Sequence, residues 1–225
     1  MPTDAIINVN GDSLQALDVT LLLVVITLLP TLVVMMTSFT KYVISFSFLR
    51  TAMGTQQTPP NMVLVGMALI LTLFTRTPTL NDIKTSAYDP YVAGSIGQEE
   101  FFSRAQLPLK RFMLRNTEPS SLELFCDMAG EPAPTTEEEL EETVNLPITV
   151  VTASFVTSEL KAAFWIGFLV YIPFMLIDVI VSSTLMSMGM IMLPPSMISA
   201  PFKLLLFVSL NGWELLFSSL VQGVR

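Results

Sequence analysis

No apolar run in this chain reads as a clean membrane span. A helix needs about 20 mostly apolar residues to cross a bilayer, and every candidate here is interrupted. Val19 to Thr40 carries no charge, but Pro30 should kink it. The run from Met62 to Thr75 stops after 14 residues at Arg76. From Leu146 the helical pattern resumes, yet Glu159, Lys161 and Asp178 divide it, leaving 16 uncharged residues from Ala162 to Ile177. The last run, PFKLLLFVSLNGWELLFSSLVQ, contains Lys203 and Glu214. An ionisable side chain facing hydrocarbon costs on the order of 2.5–3.5 kcal/mol. The expectation is a set of helices that satisfy one another's charges within an oligomer.

Composition supports a membrane protein. The chain is 52% hydrophobic and 13% charged, against about 25% charged in soluble domains, and its mean hydropathy is +0.63. It has no histidine and a single cysteine, Cys126. An internal disulfide is excluded, and so are the usual histidine-based metal sets and Ser-His or Cys-His arrangements. No Gly-rich phosphate loop or nucleophile elbow occurs, which points away from an enzyme and from any cofactor. A net charge of −8 argues against nucleic acid as a partner. Between Arg76 and Pro147 lie 13 acidic and 5 basic residues, so the whole acidic excess sits in one segment.

The chain divides into four stretches. Residues 1–18 are polar and acidic, with Asn10-Gly11 as a turn and Asp12 or Ser13 as a helix cap. No basic stretch followed by an apolar core opens the chain, so no signal peptide is read there. Residues 19–76 form a first helical hairpin around the turn GTQQTPPN. Lys41 and Arg50 border that turn, which places it on the cytoplasmic side and the acidic flanks outside. Residues 77–146 form an extracytoplasmic region with an amphipathic helix interrupted at Pro108. Within it, EPAPTTEEELEETVN reads as a solvated acidic loop. Residues 147–225 form a second hairpin around a Met-Pro loop. The fold class is therefore an all-α membrane protein of two long broken helical hairpins, with an inserted polar, acidic, partly helical extracytoplasmic region.

Two constellations stand out. Glu159, Lys161, Asp178 and Lys203 are charges embedded in apolar sequence, and such groups pair or line a watery path. Folding the Met-Pro loop back would bring Glu159 to Lys203, so a Glu159–Lys203 ion pair fixing assembly is expected within or between subunits. Structural pairing is preferred to a proton relay because histidine is missing. The second constellation is Met186, Met188, Met190 and Met192, with Ile191, around Gly189 and ahead of Pro194-Pro195. Met fills adaptable surfaces, and this spacing suits a deformable pore lining as well as ordinary core. Cys126 reads as a passive residue with nothing nearby to activate it.

Three long stretches carry a resemblance. They are TSFTKYVISFSFLRTAMGTQQTPPNMVLVGMALILTLF (37–74), FVTSELKAAFWIGFLVYIPFMLIDVIVSSTLMSMGMIMLPP (155–195) and APFKLLLFVSLNGWELL (200–216). They resemble, in order and separation, the FliP family of flagellar type III export-gate proteins, related to the SctR proteins of virulence secretion. GTQQTPPN is closer to the flagellar form. The resemblance implies a bacterial inner-membrane complex at the flagellar basal body, with FliQ, FliR and FlhB. Five copies would join FliR in a helical ring conducting unfolded flagellar proteins, much of it above the expected membrane plane. By motif position it implies a closed-pore gasket at Met190, Ile191 and Met192, with Met186 and Met188 beside them. Two departures matter. Family members usually begin with a cleavable signal peptide, which implies a mature or trimmed chain here. Asn211 stands where Asp is common, so a charge role there is not carried over. The rival reading is a small secondary transporter or ion channel with the embedded carboxylates as ion sites. It would need inverted repeats, and residues 19–76 and 160–222 show none convincing.

Overall fold

In a computed structural model of the chain, the described residues are 7–9, 12–14, single positions and pairs between 20 and 31, 34–55, 57–133, 146–190 and 192–224. Pro30, the Asn10-Gly11 turn, Ile191 and residues 134–145 of the acidic loop lie outside them. Strands β1 (Ile7–Val9) and β2 (Asp12–Leu14) pair antiparallel, with Val9 opposite Asp12. Asp12 and Ser13 are thus strand residues and not a helix cap, because their backbone groups are committed to the ladder. Apart from this hairpin the described secondary structure is helical.

Helix α1 (Phe39–Ala52) and helix α2 (Asn61–Ile83) form the first hairpin. Arg50 staples the turn between them by donating to the Asn61 side chain at 2.5 Å and to the Pro59 carbonyl. Arg76 does not end α2. The helix continues through a π-helical turn (Lys84–Tyr88) into the single turn α3 (Asp89–Val92), so the apolar run is part of one 32-residue helical stretch. Helix α4 (Gln98–Arg115) likewise passes straight through Pro108. Proline removes one backbone bond, and the carbonyl it frees belongs to exposed Arg104, where water can take it. Helix α5 (Pro119–Ala129) ends on Gly130 in the left-handed region, φ 71°, with the Glu131 amide returning to the Cys126 carbonyl.

Helix α6 (Ile148–Ser187) is 40 residues long, about 60 Å at 1.5 Å per residue. The embedded charges do not divide it. Glu and Lys are good helix formers, and their cost is met by partners on other helices. Helix α7 (Pro195–Ser209) starts behind Pro194, and helix α8 (Gly212–Gln222) follows at a 62° bend. Asn211 makes that bend with φ 49°, a left-handed conformation that Asn adopts more readily than most residues. That conformational demand accounts for Asn at this departure without any charge role.

Two cores hold the helices. Tyr42, Phe46 and Leu49 of α1 pack with Leu64, Ala68, Phe174, Phe207, Leu216 and Leu220. Phe207, Trp213 and Phe217 add an aromatic chain against Phe46. The second core joins Phe112, Met113, Leu122, Cys126, Val151 and Phe155, and so fastens α4 and α5 to the N-terminal half of α6. Gly167 is needed where α6 crosses α1, because a Cβ there would overlap the Phe48 ring. Two helices are long and apolar enough to cross a membrane, Asn61–Val92 and Ile148–Ser187, and the bent α7–α8 pair makes a possible third.

Candidate functional site

In α2, α6 and α7 buried residues recur every four positions, and buried charges sit on these same rows. Helix α2 buries Leu64, Ala68, Thr72 and Arg76. Helix α6 buries Val151, Phe155, Glu159, Ala163 and Gly167, and α7 buries Ser199, Lys203 and Phe207. Four-residue spacing keeps side chains on one helix face, so the packing that builds the core also inserts the charges into it.

Glu159 meets Lys41 of α1, with the Lys41 Nζ donating to Oε1 at 2.9 Å and both side chains 3% exposed. Arg76 lies in the same region, 4% exposed, over the Phe112 ring and donating to the Met36 carbonyl at 3.4 Å. Its charge and that of Glu159 act on each other. The remaining Glu159 Oε2 and the Arg76 Nε and Nη1 are buried without hydrogen-bond partners. Two cations therefore depend on one carboxylate in a site closed to solvent.

Lys203 makes a different pair. Its Nζ donates to Asp178 Oδ2 at 2.6 Å and to the Ala52 carbonyl at the C-terminus of α1 at 3.0 Å. Ser199, one turn earlier on α7, donates to Asp178 Oδ1 at 2.6 Å. A cation at a helix C-terminus also complements the helix dipole. One lysine thus ties α1, α6 and α7 together. Within the chain the expected Glu159–Lys203 pair does not form. Folding back the Met-Pro loop sets Lys203 beside Asp178, near the same end of α6, while Glu159 lies 19 positions further back along the helix, about 28 Å at the helical rise.

Lys161 is on the surface. It donates to Glu118 Oε1 at 2.5 Å, and the Glu118 amide donates to the Ser158 hydroxyl, which seats the start of α5 on α6. The Lys161 hydrogen bond holds the Glu118 carboxyl below the usual carboxylate range. This stabilisation is therefore complete above that range and is lost as pH falls through the lowered value. The protection of amides at the start of α5, corrected for the intrinsic pH dependence of exchange, should weaken at acid pH in the native protein, and the Glu118→Gln variant should lack that weakening. Burial pushes the Cys126 thiol up, which fits a passive residue.

The methionine loop follows a sharp stop. Gly189 takes φ 74° and donates to the Met186 carbonyl, while the Met190 amide returns to Leu185. This closes α6 as a Schellman motif. Exposure is 68% at Met186, 66% at Met188, 44% at Met190 and 98% at Met192. Sequence reasoning missed Lys41, Arg76 and Ser199 as members of the charge clusters. The signal was available for all three, since each falls on the four-residue row of its helix.

Long apolar helices, charges neutralised internally and broad bare apolar faces define an all-helical membrane protein without a catalytic constellation among the described residues. The chain belongs to the FliP family, whose family model matches residues 22–220. It is similar to the flagellar biosynthetic protein FliP of Aquifex aeolicus, 44% identical over 96% of this chain and 89% of that protein. The FliP proteins of Bacillus subtilis and Pectobacterium carotovorum are each 46% identical, over 90% and 95% of this chain and 89% and 81% of theirs. FliP proteins are structural components of the flagellar export apparatus, not enzymes, and work within a multi-protein complex.

Proposed function

We propose that this chain is a pore-forming subunit of the flagellar type III export gate in the bacterial inner membrane. Five copies assemble with FliQ and FliR, next to FlhB, and conduct unfolded flagellar proteins. The Met loop seals the closed conduit against ions between passages, through Met190, Ile191 and Met192 with Met186 and Met188 beside them. The observation that carries this reading is the exposure of apolar surface. Phe164, Trp165, Phe168, Met175, Val179 and Ile180 of α6 are all exposed, and little of the most apolar part of that helix is buried. Such a face exceeds what a monomer leaves open without purpose. Met192, almost fully exposed next to a rigid helix stop, is the kind of flexible side chain that packs against copies of itself. The buried charge pairs serve assembly by holding the helices in register, and family membership takes the place of the transporter reading.

The test is ion leakage. Cells expressing the gate with Met190→Ala and Met192→Ala together should admit small ions that the native gate excludes. Unchanged membrane permeability at equal expression would remove the gasket from the reading.

A further inference from the structure

Helix α4 folds back along α2, and two contacts fix the register. The Tyr91 and Phe101 rings meet at 5.0 Å near the turn between them, and the Phe112 ring lies under the Arg76 guanidinium further down. The two helices are therefore antiparallel, and Arg115, at the end of α4, comes level with the Phe74 turn of α2. Between them opens a cleft of about 1020 Å³, closed on one side by Val221 and Val224. That is the size of a small-molecule site.

Along this cleft α2 changes character. Ile70, Leu73 and Phe74 are apolar and exposed, whereas Arg76, Thr77, Thr79, Asn81 and Asp82 follow within two turns. The stretch Asn61–Val92 is long and apolar enough to cross a membrane, and a spanning helix meets the lipid headgroups where its apolar run ends. Opposite that transition α4 presents Arg111 and Arg115, one turn apart, both exposed and both lining the cleft. Neither makes an ion pair among the described residues, while Arg104, further up, is taken by Glu100 at 2.6 Å. The one acid in the lining is Asp82, which stands about 9 Å beyond the level of Arg76 at the helical rise. Guanidinium groups grip a phosphate oxygen pair in a fixed fork. A ligand that joins such an anion to apolar chains at this depth is a phospholipid. No carboxylate stands at the level of Arg111 to receive a choline or ethanolamine ammonium, so the two arginines favour a headgroup of net negative charge. We propose that this cleft binds an anionic phospholipid, with its phosphate on Arg111 and Arg115 and its acyl chains along Ile70, Leu73 and Phe74. The inference rests on the membrane location of α2 and is independent of the gasket and the ring.

The experiment uses the full chain in its native complex, extracted in mild detergent, and a phosphatidylglycerol with a photoreactive group in one acyl chain. Irradiation is expected to label α2 at positions 70–74. Unlabelled phosphatidylglycerol should compete, and phosphatidylcholine with the same chains should compete at least tenfold less well. Millimolar inorganic phosphate should not compete. Arg111→Gln with Arg115→Gln should lower labelling at 70–74 roughly ten- to thirtyfold, as expected for losing two basic contacts to an anionic lipid. Arg111→Lys with Arg115→Lys should retain most of it. The competition on the unsubstituted protein decides the matter even where the double variant fails to assemble. Equal competition by phosphatidylcholine would overturn the proposal and leave an apolar groove only. Full competition by inorganic phosphate would overturn it in favour of a soluble anion. Labelling at 70–74 in the isolated chain but not in the complex would overturn it and hand the arginines to a partner chain.

Discussion

Glu159→Ala should be the most damaging single substitution in the chain, costing about 3–5 kcal/mol as expected for breaking one side of a buried ion pair. Lys41 would lose its 2.9 Å partner while its side chain stays 3% exposed. Arg76, whose other contacts are a 3.4 Å bond to the Met36 carbonyl and the Phe112 ring, would lose the one carboxylate acting on it. Two buried cations would remain with no anion between them. Thermal unfolding of the purified protein should fall by roughly 10 °C for a domain of this size. The conservative Glu159→Gln should do little better, because an amide keeps the shape and loses the charge. Replacing both partners, Lys41→Met with Glu159→Met, should recover most of the loss, since a packed apolar pair avoids desolvating either ion. Recovery should remain incomplete until Arg76→Met is added. A melting temperature for Glu159→Ala within error of the native protein would show that the cluster does not hold the fold.

The second large effect is expected at Lys203. Lys203→Ala removes the bond to Asp178, the bond to the Ala52 carbonyl and the packing of a long side chain. Asp178 is 38% exposed at its side chain and can hydrate when left alone, so the penalty is smaller than at Glu159. About 1–3 kcal/mol is expected from losing hydrogen bonds to a charged group. The consequence should be local. The start of α7 would loosen from α1 and α6, and the Met loop that α6 and α7 carry between them would lose its anchor. Assembled complex on native gels should drop while the isolated chain stays helical by circular dichroism. Lys203→Arg should retain part of the assembly through the Asp178 pair. Undiminished complex with Lys203→Ala would remove this lysine from the account.

The helical character of the chain and the turn around Pro59 were legible, because apolar runs, Gly and Pro mark them directly. The embedded charges were recognised as a set, but their pairing was not. One fold-back of the chain suggests Lys203 as the partner of Glu159, whereas α1 provides Lys41 from 118 residues away. Long-range pairing of that kind depends on which helix faces meet, and the four-residue rows carry that information. Lys41 shares its row with Ser45 and Leu49, both buried in α1, and it could have been read as a core lysine. Charges and prolines were also given too much power to end helices. Helix α6 runs through Glu159, Lys161, Pro173 and Asp178 because each charge finds a partner, and α4 absorbs Pro108 where its freed carbonyl reaches water. The Met loop was legible as a chain break, but the helix stops at Gly189, five residues ahead of Pro194-Pro195.

The claim at the centre of this account is that the bare apolar faces of α6 and α7 belong to an oligomer around a conduit. The direct measurement is the mass of the intact complex, extracted from membranes in mild detergent and weighed by native mass spectrometry. The account predicts a particle of several copies of this 24.8 kDa chain together with other small membrane proteins. A particle containing only one or two copies, and nothing else, would contradict it.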